Sequence, residues 1–191
     1  MRQRLFLLLV PIVLIAQTGS TPQWEKNENS DALHGSYTEY RLTGTFLAEP
    51  KLAKVDSPVL VLHCQANTGK PGGKFVGGWI DTGTRLKMGL GHSFQDLVQI
   101  EYRLDSGKMK TESWAAMPDH KSISVVGSAL LPKVNISKLF YGSEMPHREG
   151  KGEQVRKIVL GAYESEGGQI QLQFDLPEVA EVADACGIIQ H

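Results

Sequence analysis

Apolar and polar positions alternate along much of the chain beyond residue 36. In "LVQIEYRLD", Val98, Ile100, Tyr102 and Leu104 alternate with Gln99, Glu101, Arg103 and Asp105. A period of two sends successive side chains to opposite faces, so this run predicts a half-buried strand. "GQIQLQFDL" repeats the pattern. Ile170, Leu172, Phe174 and Leu176 face one way, and Gln169, Gln171, Gln173 and Asp175 face the other. "VRKIVLGAY" and "KSISVVGSALL" are rich in β-branched residues and predict strands too. "PVLVLHCQ" and "KFVGGWID" predict two more, on either side of the Gly-rich turn "NTGKPGG". Turn residues punctuate the runs at Gly72-Gly73, Asp105-Ser106-Gly107, Pro118-Asp119 and Gly167-Gly168.

Helical periodicity is scarce. In "PEVAEVADACG", Val179, Val182, Ala183 and Cys186 fall at i, i+3, i+4 and i+7 and share one apolar face. Pro177 suits a first turn, Glu178 and Glu181 suit the positive N-terminal end, and Gly187 suits a stop. "VNISKLFYG" reads as a short helix or turn. Many short strands with little helix predict an all-β fold, an antiparallel β-sandwich or barrel-like domain with one short C-terminal helix, over residues 37–191. Residues 21–36 are polar and read as a flexible N-terminal arm, with Trp24 either docked on the domain or carried in the arm.

The first 20 residues are of another kind. Arg2 and Arg4 precede the apolar run "LFLLLVPIVLIA", and the small, polar "QTGST" follows. Basic, apolar and small-residue zones in this order predict a cleaved signal peptide over 1–20, with an uncleaved anchor as the alternative. The run is shorter than the roughly 20 apolar residues of a bilayer-spanning helix, and Pro11 interrupts it. No later segment is long and apolar enough to span, so no membrane span is expected after cleavage. Charge adds one exclusion. The chain has 20 basic and 21 acidic side chains, and losing Arg2 and Arg4 tips it further to the acidic side. Nucleic acid and anionic lipid need a basic surface, so neither is expected as a partner.

An exported chain with two cysteines is expected to bridge them. Cys64 shares its strand face with Leu60 and Leu62, and Cys186 lies on the apolar face of the terminal helix. The bond would close a loop of about 120 residues, for a chain-entropy gain of roughly 4–5 kcal/mol. Two separate buried thiols are the other reading. His63 is adjacent to Cys64, but neighbours in a strand point to opposite faces, so it is poorly placed to activate the thiol.

Local motifs for chemistry are missing. His34, His63, His92, His120, His147 and His191 form no HxH, HxxxH or HExxH spacing, and no CxxC occurs, so no metal site or cofactor is predicted. "GLGHSFQ" sets Ser93 beside His92 but has Gln95 where a nucleophile elbow needs Gly. "NTGKPGGKF" has Phe75 where a phosphate loop needs Ser or Thr. Asn135 in "NIS" is a sequon, relevant only in a glycosylating host. The longest polar connection runs from Tyr141 to Gln154. Within it Met145, Pro146, His147 and Arg148 could form a contact loop, or simply a solvated one.

Four features together form a pattern: "LVLHC", "YRLD" (Tyr102 to Asp105), "ESWAA" with Trp114, and the closing "FDLPEVAEVADACG". It resembles the VasI/TagO-type secreted accessory proteins linked to type VI secretion, over roughly residues 58–187. The Tyr141–Gln154 stretch has no counterpart there, and Gly187 follows the cysteine in place of an aromatic residue. The resemblance implies a non-enzymatic envelope protein with a disulfide and no catalytic residues. Read as structure, Trp114 belongs in the core, and Arg103 and Asp105 either pair with charges on a neighbouring strand or present a binding surface. The expectation is an exported, non-catalytic binding or accessory protein of a bacterial cell envelope, periplasmic or secreted, whose partner is another envelope or secreted protein. Its candidate binding residues are Arg103, Asp105, His147 and Arg148. A secreted hydrolase and a barrel-type carrier of a small ligand are the alternatives.

Overall fold

The alternating segments pair into two five-stranded antiparallel sheets. The computed structural model describes residues 21–31, 35–52, 55, 57–65, 74–89, 96–125, 134–141 and 154–188. The first sheet runs β1 (Glu25–Asp31), β2 (Gly35–Thr43), β4 (Val59–Gln65), β5 (Lys74–Asp81), β8 (Ser122–Ser124). The second runs β3 (Thr45–Ala48), β10 (Gln169–Asp175), β9 (Lys157–Tyr163), β6 (Leu97–Leu104), β7 (Lys110–Ala115). The architecture is thus a sandwich, and two short helices accompany it, α1 (Val134–Tyr141) and α2 (Ala180–Ala185).

The period-two residues make the core. Leu60, Leu62 and Ile80 from the first sheet meet Ile100, Tyr102, Leu160, Leu172 and Phe174 from the second. Trp114 is buried among them, its ring 5.7 Å from that of Tyr102. Ile136, Leu139 and Phe140 of α1 join the same cluster, so the stretch "VNISKLFYG" is a second helix rather than a turn.

Both sheets share one continuous segment. β2 ends at Thr43 and β3 starts at Thr45, so the chain changes sheets at Gly44. A Cβ there would lie 2.6 Å from the Gln173 carbonyl oxygen and 2.7 Å from the Phe174 ring, which only glycine avoids.

Two expectations need correction, for the N-terminal arm and for the start of the terminal helix. Residues 25–31 are a strand, not a loose arm: β1 pairs with β2 from Glu25↔Arg41 to Asp31↔Gly35. Residues 25–30 are exposed, so no apolar periodicity betrays the strand, and its order comes from the backbone ladder. At its root Trp24 does dock on the domain, edge-on to Phe140 at 6.0 Å. The strand expected in "KSISVVGSALL" is present as β8, followed by the buried Val125, and Val126 to Pro132 lie outside the described residues. The terminal helix begins at Ala180, three residues later than Pro177 suggests. Gln154 accounts for the delay: its Nε2 donates to the Pro177 carbonyl (2.7 Å) and its Oε1 accepts from Val179 N–H (3.3 Å), holding the chain open ahead of the first turn.

The end of α2 follows the expected chemistry. Gly187 takes φ +56°, its N–H reaches the Asp184 carbonyl (3.0 Å), and Ile188 N–H reaches the Ala183 carbonyl (2.8 Å). This is the Schellman arrangement, completed by the buried Ile188. Val179, Val182, Ala183 and Cys186 are all buried, and Cys186 is bonded to Cys64 across 122 residues, with Cα atoms 4.9 Å apart. The bridged reading of the two cysteines therefore holds.

Because the bond closes so long a loop, replacing both cysteines (C64S/C186S) is expected to cost about 2–5 kcal/mol. Urea midpoints of the oxidised wild type and the double variant measure this, and alkylation without reductant should label no thiol in the wild type.

Candidate functional surfaces

The outer face of the second sheet is largely polar because Val98, Ile100 and Tyr102 of β6 and Ile170, Leu172 and Phe174 of β10 are turned inward. Arg103 is exposed on this face, opposite Val159 of β9. The same face carries Glu101 on β6 and, across β9, the glutamine row of β10. Gln169 Nε2 donates to Glu101 Oε2 (2.9 Å), and Gln171 Nε2 donates to Gln169 Oε1 (3.3 Å). The first bridge passes over Gly161, where a Cβ would sit 3.0 Å from the Gln169 amide nitrogen. At the end of the face Gln173 Nε2 donates to both Asp175 oxygens (3.2 and 3.1 Å), with Lys157 Nζ 3.7 Å from Oδ1.

Asp105 terminates the strand, in keeping with its place in the Asp105-Ser106-Gly107 turn. It lies one residue past β6 with φ +48°, and its Oδ1 accepts N–H bonds from Arg156 (2.9 Å) and Lys157 (2.8 Å). It ties the end of β6 to the start of β9 through the backbone instead of pairing with a charge. Arg103 and Asp105 thus both lie at the C-terminal end of β6, an interior strand of the second sheet. Met145, Pro146, His147 and Arg148 lie outside the described residues, as do His92, Ser93 and the turn at 66–73. His63 is half-buried on the face of β4 opposite Cys64, as its parity predicts.

The outer face of the first sheet carries aromatic groups. Leu60, Leu62 and Ile80 point into the core, so Val61, His63 and Trp79 point away from it. Val61 is nonetheless only 1% exposed and lies outside the main core cluster. Its register partners Arg41 and Trp79 flank it on this face. Arg41 Nη1 contacts Glu39 Oε1 at 2.8 Å, and the Arg41 side chain is 39% exposed. The Tyr37 and His63 rings lie 4.0 Å apart, tilted by 48°. Opposite His63 stands Gly77, where an added Cβ would meet nothing within 4 Å. Among the described residues no side chain fills the place over Gly77, which lies along the strands between Trp79 and the Tyr37–His63 pair. Parity along β4 and β5 could have found it, since Trp79 follows Gly77 by two residues; the sequence reading used those strands only for their inward face. A shallow depression of about 440 Å³ adjoins it at the β1–β2 hairpin, lined by Glu28, Asn29, Ser30, Ser36, Tyr37 and Thr38.

Three carboxylates are fully engaged within the fold: Glu164 and Glu112, which sequence reasoning passed over, and Asp119, which it placed in the Pro118-Asp119 turn. Glu164 is 1% exposed. Its oxygens accept Lys51 N–H (2.9 Å), Leu52 N–H (3.1 Å) and the Thr84 hydroxyl (2.8 Å). Burial alone would raise its pKa. The bonds from Lys51, Thr84 and Leu52 and the Lys51 charge outweigh burial, so the carboxyl stays below its ordinary value. Asp119 follows the same logic: burial raises it, while the Ser122 hydroxyl, the N–H groups of Lys121 and Ser122 and the Lys121 charge bring it below the ordinary value. Glu112 accepts the Tyr102 hydroxyl (2.7 Å) and Trp114 Nε1–H (3.1 Å), which satisfies the polar ends of two core aromatics.

Among the described residues no group of three or more His, Cys, Asp or Glu side chains is placed to hold a metal ion, and no helix is long and apolar enough to cross a membrane. No family model matches the chain, and neither the curated proteins nor the solved structures gave a match.

The folded state holds Glu164 more acidic than the unfolded chain, whose value is near 4.5. Its stabilisation is therefore complete above that value and is lost as pH falls through the lower, folded one. Glu164→Gln should lose about 1–3 kcal/mol near neutral pH. It should also show a shallower loss of stability than the wild type between pH 5 and 3, measured by denaturant titration at stepped pH.

Proposed function

We propose that this chain is an exported, non-catalytic binding or accessory module of a bacterial cell envelope, acting in the periplasm or outside the cell. The observation that carries this reading is the Cys64–Cys186 bond. Structural disulfides persist in oxidising compartments and are rare in the cytosol of mesophiles. The leader-like pattern of residues 1–20 and the resemblance to VasI/TagO-type accessory proteins point to the same compartment.

Geometry favours binding over catalysis. The displaced carboxyls, Glu164 and Asp119, spend their acceptor capacity on backbone N–H and hydroxyl groups of their own fold. An acid or base needs a free edge directed at a substrate. The space between the sheets is filled by Tyr102, Phe140, Phe174 and their neighbours, which favours a surface binder over a barrel-type carrier. The surface on offer is the pair of outer sheet faces, one polar with Arg103 and one aromatic. The partner on this reading is another envelope or secreted protein, met without cofactor or metal.

Fractionation of the native host, with thiol alkylation before lysis, tests the compartment. The expected result is oxidised protein in the envelope or the medium; a reduced cytoplasmic pool would sink the proposal. Tagged protein recovered from that envelope should bring one specific partner, and recovery of the chain alone counts against the accessory role.

A further inference from the structure

We propose that β1 pairs antiparallel with β1 of a second copy of this chain, about a two-fold axis through Asn27, so that the first sheets of the two copies run on as one. This goes beyond the binding-module reading and does not depend on it. Three observations carry the inference.

The first is the edge itself. Among the described residues β1 and β8 end the first sheet, and β3 and β7 end the second. β8 has three residues, and its Ile123 is bridged to Ala116, which follows β7 directly, so those two edges meet each other. β3 has four residues. β1 has seven, all laddered to β2 on one side, from Glu25↔Arg41 to Asp31↔Gly35. The backbone groups of a strand alternate between its two edges, so about half of those in β1 are directed away from β2. Such a row is a template for one more strand.

The second is the kind of strand that fits. Glu25 to Ser30 are all exposed, so a strand laid beside them finds no core in which to bury apolar side chains. The fitting strand is polar at every position. β1 meets that description itself: "EKNENSD" has no apolar residue, whereas each of the other described strands has at least one.

The third is register. Opposed residues of an antiparallel pair point to the same face, so the two-fold of a symmetric pair falls on a residue. An axis on Lys26 opposes lysine to lysine. An axis on Glu28 opposes glutamate to glutamate, and Glu25 to Asp31. An axis on Asn29 opposes Glu28 to Ser30 and Asn27 to Asp31, with no unlike charges matched. An axis on Asn27 opposes Lys26 to Glu28 of the second copy, and Glu28 to its Lys26, with Glu25 facing Asn29. Within one chain Lys26 Nζ already lies 2.9 Å from Glu28 Oε1, and both side chains are exposed. Pairing about Asn27 sets two such ion pairs side by side in opposite directions, so four charges alternate around the axis. Charges on an edge strand ordinarily repel an incoming strand. Here they repel in two registers and attract in one. A ladder this short stays below the roughly 1,200 Å² of a stable complex, so the dimer is weak and depends on concentration.

Sedimentation equilibrium of the oxidised mature protein, at concentrations up to about 1 mM, tests this. The expected result is a monomer–dimer equilibrium that weakens as salt screens the ion pairs. Lys26→Glu and Glu28→Lys each set like charges opposite one another twice, and each should weaken the dimer about tenfold. An equimolar mixture of K26E and E28K should associate as the wild type does, because each supplies the charges the other lacks. The double variant K26E/E28K should recover in the same way. Both side chains are exposed, so these variants keep the fold, checked by an unchanged urea midpoint. A monomer at every concentration overturns the proposal. So does a dimer that K26E and E28K leave unchanged, or one that their mixture fails to restore. A wild type that stays monomeric, with a captured envelope partner that E28K releases, also overturns self-pairing and gives the edge to a strand of that partner. A charge-dependent dimer with no captured protein leaves this inference standing while the accessory role falls.

Discussion

The Cys64–Cys186 bond ties the first sheet to the helix that follows the last strand of the second. Cys64 belongs to β4 in the middle of the first sheet. Cys186 closes α2, which follows directly from β10 in the second sheet. The helix is only six residues long and would be marginal alone in water. It is held by the bond, by the buried Val179, Val182 and Ala183, and by the Schellman turn at Gly187. Each constraint needs the others. Without the turn Cys186 would not be presented at 4.9 Å from Cys64, and without the apolar face the helix would have no reason to lie there.

A second organising centre is polar. Glu164 gathers the 51–52 segment and Thr84 around the end of β9, and its own N–H closes the β9–β10 hairpin on the Gly168 carbonyl at 3.1 Å. A buried charge is costly unless it is fully bonded. Here three donors meet it, so the cost becomes a constraint on where three separate loops must lie. Val61 and its cover of Arg41 and Trp79 do the apolar counterpart on the outside of the first sheet.

The parts legible in the sequence are those whose signal is local. β6 and β10 declare themselves by strict alternation, and the face of α2 by its 3.6-residue period. The pairing of Cys64 with Cys186 followed from placing each on an inward face. β1 was illegible because its described side chains, Glu25 to Ser30, are all exposed, which removes the contrast that periodicity depends on. β8 is too short at three residues to show a period. Glu164 was missed because its partners sit 80 to 113 residues away and no spacing rule connects them. Asp105 was recognised as a strand terminator, but its backbone partners at 156 and 157 become visible only once β6 and β9 are neighbours. The aromatic face was legible in principle through the parity of His63 and Trp79, yet its defining element is the place over Gly77 that no described side chain fills, and an absence of side chain reads in a sequence as flexibility.

The change of sheet at Gly44 has a mechanical meaning once it is set beside the disulfide. Gly44 leaves the first sheet next to Pro58, at the Val59 end of β4, where its N–H meets the Pro58 carbonyl at 2.8 Å. Cys64 is five residues further along the same strand, about 17 Å away at the rise of an extended chain. The two layers are therefore joined covalently at opposite ends of the β2–β4 pair. Sliding one layer over the other would have to stretch a single glycine at one end and a sulfur bridge at the other. Pulled along its strands, the domain should yield as one block rather than layer by layer.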